Sequence, residues 1–549
     1  MKAENRGKPT APHFGSPRAC LTLLFLLLLI LGGTNLAYFW INCPIDLSGD
    51  EAQYWDWSRK LDWSFYSKPP GVAIIIRAAT AVLGESMPAI RTPATLFFLA
   101  IVLGVYVLSW VLLHSHRVGL LAAVLCSLSP IMIYLSGAMT IDVPMIALWT
   151  WASVCAAVVV SASEPVGDRG HGAFWGWWVL VGVLVGLGFL MKYSAMIWFL
   201  GLLLLLLWQR APLRQWLGGL VALGVACLFT VPVIWWNVLH DWVGLRHVAR
   251  QTGAEGGQFH PGNVLEMIGG QFAAVSPPIA LVMIAAVAWG LRASRRTTPH
   301  ARSDNDHAAP IRFLLALAAP FWLLTFLVSF AAKVQVNWPA PAYVTLLVLS
   351  AAFLVRQAET TESWPRWRPI AWAILIFGLG AHVFMRDSSL LLPALKRFGL
   401  GDRTVAPVDV LSRLRGLEEL GQIVDRLRRQ LGDDSLILCD SYQQTALMAF
   451  YVPGRPRTFH AGLYFARPQR MNQYALWPEM QLDQPHLVGR NAVYVGKGGP
   501  LPEPLPRAFE RVERLPDVPV MVRGVQVTTF KLWKCYGFRG LQRPSGGGF

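Results

Sequence analysis

Long apolar segments alternate with short polar ones along the first 385 residues of the chain. Most of these segments are long enough to cross a bilayer as a helix. The first runs from Cys20 to Ile41 and lacks a small-residue cleavage site, so it predicts an anchor rather than a removed signal. We predict about eleven spans. The remaining ones cover roughly residues 88–112, 118–136, 142–161, 175–191, 194–208, 216–236, 264–291, 312–331, 338–356 and 369–385.

The basic residues of the connecting loops predict an orientation. Lys and Arg concentrate in alternate loops, which is typical of the cytoplasmic side of a membrane protein. Members of this set are Arg210, Arg214, Arg292, Arg295, Arg296, Arg366 and Arg368. With the N-terminus inside, an odd number of spans puts the C-terminal region outside. The expected location is a plasma membrane that the chain crosses many times.

The composition changes near residue 386, where Arg, Pro and turn residues become frequent. A helical stretch at 408–431 and short apolar strands at 436–439, 492–495 and 518–522 predict a small α/β domain. We therefore divide the chain into a cytoplasmic tail (1–19), a transmembrane domain (20–385) whose first outer loop is 42–87, and an extracytoplasmic domain (386–549). The fold class is mainly α, a polytopic membrane protein with a small C-terminal α/β domain.

Composition and charge exclude several other classes. The 549 residues are 54% hydrophobic and only 15% charged, which is far from a soluble protein. The net charge of +16 is explained by membrane-facing loops, since no basic stripe lies on a nucleic-acid recognition motif and no nucleic-acid partner is expected. None of the seven cysteines forms a CxxC pair, which argues against a metal or redox motif. Whether Cys439 and Cys535 pair stays open at this point.

One loop concentrates charge and aromatic rings in this apolar chain. It reads SGDEAQYWDWSRKLDWSFYSKPPG and extends from Ser48 to Gly71. Asp50, Tyr54 and Trp57 fall on one face of a predicted helix, and Lys68 lies on a turn that two prolines stiffen. An acid, a cation and aromatic rings at a membrane surface indicate chemistry on a lipid-borne anion. The alternative is an ordinary aromatic belt with scattered charges.

The ordered set Asp50-Glu51, Tyr54-Trp55 and Lys68-Pro69-Pro70 resembles the bacterial family 39 glycosyltransferases. These are relatives of the protein O-mannosyltransferases and of the lipid A aminoarabinose and galacturonic acid transferases. The layout is similar over roughly residues 20–350, and the specific motif is confined to 46–71. The resemblance implies a C-type glycosyltransferase of the bacterial inner membrane. Such an enzyme moves a sugar from a polyprenyl phosphate to an acceptor on the extracytoplasmic face, with inversion.

Attack at the anomeric carbon needs a base for the acceptor proton and positive charge near the departing phosphate. We expect Asp50 to be the base and Lys68 to hold the phosphate. The other expected site residues are the supporting acids Glu51 and Asp142, the donor-phosphate cations Arg77 and Lys192, and the aromatics Tyr54 and Trp55. Asp142 and Lys192 rest on their match to family positions. The alternatives are a helix cap for Asp142 and a lysine that snorkels to the surface for Lys192.

No P-loop or other nucleotide fold is recognisable, which favours a lipid-linked donor. The expected partners are a polyprenyl-phosphate sugar, the bilayer, and a glycan, lipid or protein acceptor. The sequence identifies no cofactor with certainty, and a divalent metal is left open because the acids could bind one but no spacing demands it. A lipid-linked glycan ligase or polymerase and a transporter or flippase are the alternatives. Acids clustered at one face would favour transfer, and acids strung across the membrane would favour transport.

Overall fold

The computed structural model of the protein describes residues 16–161, 168–252, 259–295, 308–359, 364–467, 469–496 and 499–544. Most of the predicted N-terminal tail and the end of the chain after residue 544 lie outside the described residues, as does Arg296. The domain boundaries drawn from the sequence stay predictions.

Helices build the part of the chain before residue 386. They are α1 Pro17–Ile41, α2 Gly49–Arg59, α3 Gly71–Leu83, α4 Met87–Leu113, α5 His116–Leu128, α6 Pro130–Gly137, α7 Asp142–Ser161, α8 Asp168–Met191, α9 Trp198–Gln209, α10 Leu213–Leu228, α11 Val231–Leu239, α12 Val243–Gln251, α13 Pro261–Val275, α14 Pro277–Ala293, α15 Ala308–Ser329, α16 Ala340–Glu359 and α17 Trp364–Arg386. A 3-10 turn, Tyr193–Ile197, leads into α9.

Seven helices in the described ranges are long and apolar enough to cross a membrane. Three bent pairs raise the count to as many as ten: α5 with α6 at 70°, α10 with α11 at 41°, and α13 with α14 at 105°. The segment predicted at 194–208 corresponds to a shorter apolar helical stretch, Tyr193–Gln209. The protein is therefore a multi-pass membrane protein, as expected, while the count of about eleven spans stays a prediction.

The C-terminal domain is a mixed sheet with helices packed on it. Its helices are α18 Leu392–Arg397, α19 Asp402–Val405, α20 Leu417–Leu431 and α21 Tyr442–Tyr451, and its strands are β1 Leu436–Cys439, β2 Phe459–His460, β3 Ala492–Gly496, β4 Phe509–Arg514, β5 Val518–Val522 and β6 Val525–Phe538. The strand order is β2-β1-β3-β6-β4, with β5 paired to β6. β1 is parallel to β2 and β3, and the pairs that β6 makes are antiparallel.

This domain confirms the predicted fold class, a mainly α membrane protein with a small C-terminal α/β part. The three predicted strands are present, but the predicted helix begins at Leu417 rather than near residue 408. Gly416, with a φ of 73°, precedes it in the left-handed conformation that glycine adopts readily. Cys439 and Cys535 are both buried and free, on strands that β3 separates, so they form no disulfide.

The C-terminal domain is docked on the loop between α1 and α4. The Trp55 ring of α2 packs edge-on against Phe450 of α21, with centroids 4.9 Å apart. The Tyr474 hydroxyl donates a hydrogen bond of 2.7 Å to the buried Asp56 carboxylate. The Tyr66 backbone N–H donates to the Gln473 side chain at 2.7 Å. Residues that are distant in sequence therefore meet at one end of the helix bundle.

Candidate active site

Helix α2 begins with a capping box that fixes the direction of its acids. The Ser48 hydroxyl accepts from the Glu51 N–H, and the Glu51 carboxylate accepts from the Ser48 N–H at 2.9 Å. This exchange satisfies two backbone donors at the helix start. Because Asp50 is one residue earlier on the helix, its carboxylate points away from that cap and into a cavity.

The buried carboxylate of Glu51 does not face this cavity. It forms an ion pair with Arg91 of α4, with two hydrogen bonds of 3.0 Å, and it also accepts from the Met139 N–H at 3.1 Å. Burial on its own would raise the pKa of Glu51, but Arg91 and the Ser48 and Met139 amides hold it below its usual value. Glu51, expected as a supporting acid, is thus a structural anchor that ties the loop to α4.

The cavity has a volume of about 700 Å³ and lies between the helix bundle and the C-terminal domain. Five of the expected site residues line it: Asp50, Tyr54, Lys68, Asp142 and Lys192. Two others do not. Trp55 is 1% exposed and packs in the core, and Arg77 is an exposed residue of α3 outside the cavity wall. The sequence could not separate these two because it does not show which side of α2 or α3 faces inward.

Asp142 is held by two partners from different spans. Its Oδ1 accepts a hydrogen bond of 2.7 Å from the Lys192 ammonium, which follows α8. Its Oδ2 accepts at 2.7 Å from the Asn337 amide, which precedes α16. With both oxygens engaged, Asp142 is a poor proton acceptor. It holds Lys192 at the cavity wall instead.

Lys68 lies close to this pair. The turn that carries it is closed by a hydrogen bond of 3.0 Å from the Phe65 N–H to the Lys68 carbonyl. Gly71 then starts α3 in close contact with the end of α8, since a Cβ there would lie 2.5 Å from Met191. Burial and the charge of Lys192 lower the pKa of Lys68 to about 8, against the opposing influence of Asp142 and Asp50. Lys68 forms no ion pair with another described residue.

Asp50 is the more accessible of the two acids. Its carboxylate is exposed to the cavity, and Oδ1 accepts a hydrogen bond of 3.2 Å from Gln443 of α21. The ring of Tyr54, one turn further along α2, lines the cavity beside it. Burial, followed by the charges of Asp50 and Asp142, raises the pKa of Tyr54, so its hydroxyl stays neutral. Of the two acids, Asp50 is the one whose carboxylate is open to the cavity, since both oxygens of Asp142 are engaged.

Several lining residues were not predicted as site residues. They are contributed mainly by distant segments: Tyr66, His247, Gln335, Trp338, Arg413, Tyr442, Gln443 and Arg470. The stretches KVQVNWPAPAY and YFARPQRMNQYALWP, which supply Asn337 and Arg470, carry polar and aromatic residues in apolar surroundings. That contrast was the available signal, but it does not say which loop of the fold they meet.

A second, apolar cavity of about 390 Å³ adjoins the first. Its wall includes Ile197, Val248, Phe321, Leu324 and Val328, from the turn before α9, from α12 and from α15. Lys68 and Lys192 lie in the walls of both cavities. The second cavity, called the apolar groove below, therefore leads to a pair of ammonium groups. In the described part of the chain no group of three or more His, Cys, Asp or Glu side chains is arranged to hold a metal.

Comparisons with known proteins agree with this architecture. Residues 67–236 match the family described as dolichyl-phosphate-mannose-protein mannosyltransferase. The chain is 27% identical over 431 residues to the lipid A galacturonosyltransferase RgtD of Rhizobium johnstonii, covering 75% of this chain and 79% of that protein. The apo crystal structure of ArnT from Cupriavidus metallidurans matches with a TM-score of 0.64 and 14% identity, covering 95% of this chain and 98% of that one. The same ArnT bound to undecaprenyl phosphate gives a TM-score of 0.61 at 14% identity, covering 94% and 98%.

The resemblance drawn from the loop motif is confirmed by these matches. The protein is a membrane glycosyltransferase that is similar to the C-type enzymes, and its fold is that of ArnT. Its relatives include the protein mannosyltransferases and the lipid A galacturonosyltransferase.

Proposed function

We propose that the protein transfers a sugar from a polyprenyl phosphate to a hydroxyl of a membrane-associated acceptor, with inversion at the anomeric carbon. The observation that carries this proposal is the continuity of the apolar groove with the polar cavity at Lys68 and Lys192. A polyprenyl chain fits the chemistry of the groove, and its phosphate would then meet both lysines. The relative bound to undecaprenyl phosphate supports the same class of donor.

The residues of the cavity divide the chemistry between them. The acceptor oxygen forms a bond to the anomeric carbon while the bond from that carbon to the phosphate oxygen breaks. Asp50 takes the acceptor proton, and the polyprenyl phosphate leaves with the bonding electrons. Lys68 and Lys192 stabilise the charge that develops on the phosphate. Asp142 and Asn337 keep Lys192 in place.

The position of the acids favours transfer over transport. Asp50 and Asp142 line one cavity at one end of the bundle, where α1, α6, α8 and α15 end and where α4, α7 and α16 begin. A transport path would instead place ionisable groups through the membrane. A lipid-linked glycan ligase or polymerase would share this geometry and differ in the length of the transferred glycan.

We assign the protein to the bacterial inner membrane with the C-terminal domain on the extracytoplasmic side. The distribution of basic loops supports this orientation. It puts the cavity on the side where a lipid-linked sugar, rather than a nucleotide sugar, is the available donor. The acceptor class is a lipid or glycan, which the lipid A enzyme among the relatives supports.

The test is release of polyprenyl phosphate by the purified protein in lipid nanodiscs. A panel of undecaprenyl-phosphate sugars is supplied together with lipid A, and both the free lipid phosphate and the glycosylated product are measured. We expect one donor of the panel to be consumed by the wild-type protein and not by Lys68→Ala. Arg77→Gln serves as the matched control because its side chain lies outside the cavity. Turnover only with nucleotide sugars would overturn the proposal.

A further inference from the structure

A third, small cavity lies beside the main one and shares no lining residue with the apolar groove. Its volume is about 90 Å³, roughly the share of three water molecules in the liquid. It is bounded by α1, α6, α17, the turn Ser412–Leu414 of the C-terminal domain, and the Glu51–Arg91 pair, whose two charges neutralise each other. Tyr134 and Arg413 line both this cavity and the main one. The space suits one small group, such as a phosphate, adjoining the site where the sugar is transferred.

Two cations at this cavity lack a carboxylate partner among the described residues. Arg413 forms no ion pair there, and Arg386 contacts neutral groups only: the Asn35 side chain at 2.7 Å, the Thr34 hydroxyl at 3.2 Å and the Tyr38 ring. Both line the small cavity.

Neighbouring arginines behave differently. Arg91 is paired with Glu51, Arg415 with Asp387 and Asp409, and Arg523 with Asp387. Since carboxylates are present nearby and are taken by other arginines, the charges of Arg386 and Arg413 remain for an anion from outside the chain.

The cavity also lies at the perimeter of the bundle. In the most apolar 18-residue stretch of each helix, only 28% of the residues of α1 and 11% of those of α17 are buried. Trp40, Ile41, Phe377 and Val383 are exposed apolar residues of these two helices and face the hydrocarbon region or its surface. A lipid in the bilayer can therefore reach the end of α1 and α17 directly. The donor groove is formed by other elements, the turn before α9 with α12 and α15.

We propose that Arg413 and Arg386 bind an anionic group, of the phosphate class, on the headgroup of a lipid acceptor that approaches between α1 and α17. Donor and acceptor lipids then approach the main cavity from different faces and meet near Asp50. Arg413 is the more direct contact because it lines both cavities. This inference rests on the proposed transfer reaction and adds the substrate class of its acceptor.

The experiment compares bisphosphorylated lipid A with its dephosphorylated form as acceptors for the full-length protein in nanodiscs. The proposal predicts that the wild-type protein prefers the phosphorylated lipid. Arg413→Gln should raise the KM for that lipid about ten- to a hundredfold, the loss expected for one or two charge-assisted hydrogen bonds. The preference for the phosphorylated over the dephosphorylated lipid should fall by a similar factor, and the donor KM is measured in parallel. Arg413→Lys should retain part of the preference, and Arg397→Gln, an exposed arginine of the same domain that lines none of these cavities, is the control.

Folded yield is measured for each variant. If Arg413→Gln folds poorly, the preference for the phosphorylated lipid is measured with Arg386→Gln instead. Equal use of the two lipids by the wild-type protein, or a preference that survives in well-folded Arg413→Gln and Arg386→Gln, would overturn the acceptor site. Donor turnover without transfer to either lipid would also overturn it while leaving the donor assignment intact. Absence of any turnover of polyprenyl-phosphate sugars would instead count against the proposed function itself.

Discussion

The side-chain amide of Gln443 donates a hydrogen bond of 3.2 Å to Oδ1 of Asp50. This contact joins the C-terminal domain to the candidate base in the first loop. Gly49 makes it possible, because a Cβ at that position would lie 2.6 Å from the Cβ of Gln443. The C-terminal domain thus acts on the orientation of the acid as well as on the shape of the cavity.

Removing this amide should slow the chemical step. We expect Gln443→Ala to lower kcat about three- to thirtyfold, with a smaller change in the donor KM, since a hydrogen bond to a charged group contributes on the order of 1–2 kcal/mol. Gln430→Ala, on the exposed face of α20, is the control. Gly49→Ala should give a similar loss, and the double variant should be less impaired than the product of the two, because both act on one contact. A normal kcat in well-folded Gln443→Ala protein would remove Gln443 from the mechanism.

Glu51 should behave as a structural residue. Glu51→Gln leaves Arg91 buried without its counter-charge, and breaking a buried pair costs about 3–5 kcal/mol. We expect a low folded yield and a lower Tm in detergent, while kcat per folded molecule stays within a fewfold of the wild-type value. A stable Glu51→Gln protein with much reduced turnover would return Glu51 to the catalytic set.

Donor binding should weaken at alkaline pH. The pKa of Lys68 is lowered to about 8, so its ammonium is charged below that pH and is lost as the pH rises through it. The KM for the lipid phosphate donor should therefore rise above about pH 8. Lys68→Arg keeps its charge and should shift this rise to higher pH. A donor KM that does not vary between pH 7 and 9 would contradict the role of Lys68.

The proposed orientation can be tested with reporters. A phosphatase that is active only outside the cytoplasm, fused after residue 549, should be active, and a cytoplasmic fluorescent reporter at the same position should be dark. The reverse result would put the cavity on the cytoplasmic side, where nucleotide sugars are available. It would then remove the argument for a lipid-linked donor.

The sequence predicted the local elements of this site well. Ser48 predicted the start of α2, and the two prolines predicted the turn at Lys68. The length of the apolar segments predicted that the chain crosses a membrane. These features depend on residues that are near one another in the chain. Asp50, Asp142 and Lys192, which the sequence named as site residues, line one cavity, and their roles in the reaction stay predictions.

The contacts between distant segments were not predictable from a single sequence. Nothing in the composition of α4 shows that Arg91 rather than solvent neutralises Glu51. Likewise, Asn337 and Gln443 reach the two acids only because α16 and α21 pack where they do. Long-range pairs of this kind follow from the tertiary arrangement, and the polar character of the segments gave only a hint of them.

The most direct test of the mechanism is single-turnover sugar transfer by Asp50→Asn. Because the amide keeps the shape of the carboxylate, donor affinity should stay within a fewfold of the wild-type value. The amide cannot, however, take the proton from the acceptor hydroxyl. The rate of transfer should fall roughly a hundred- to ten-thousandfold, the usual contribution of a general base. Near-normal transfer by well-folded Asp50→Asn protein would contradict the assignment of Asp50 as the base.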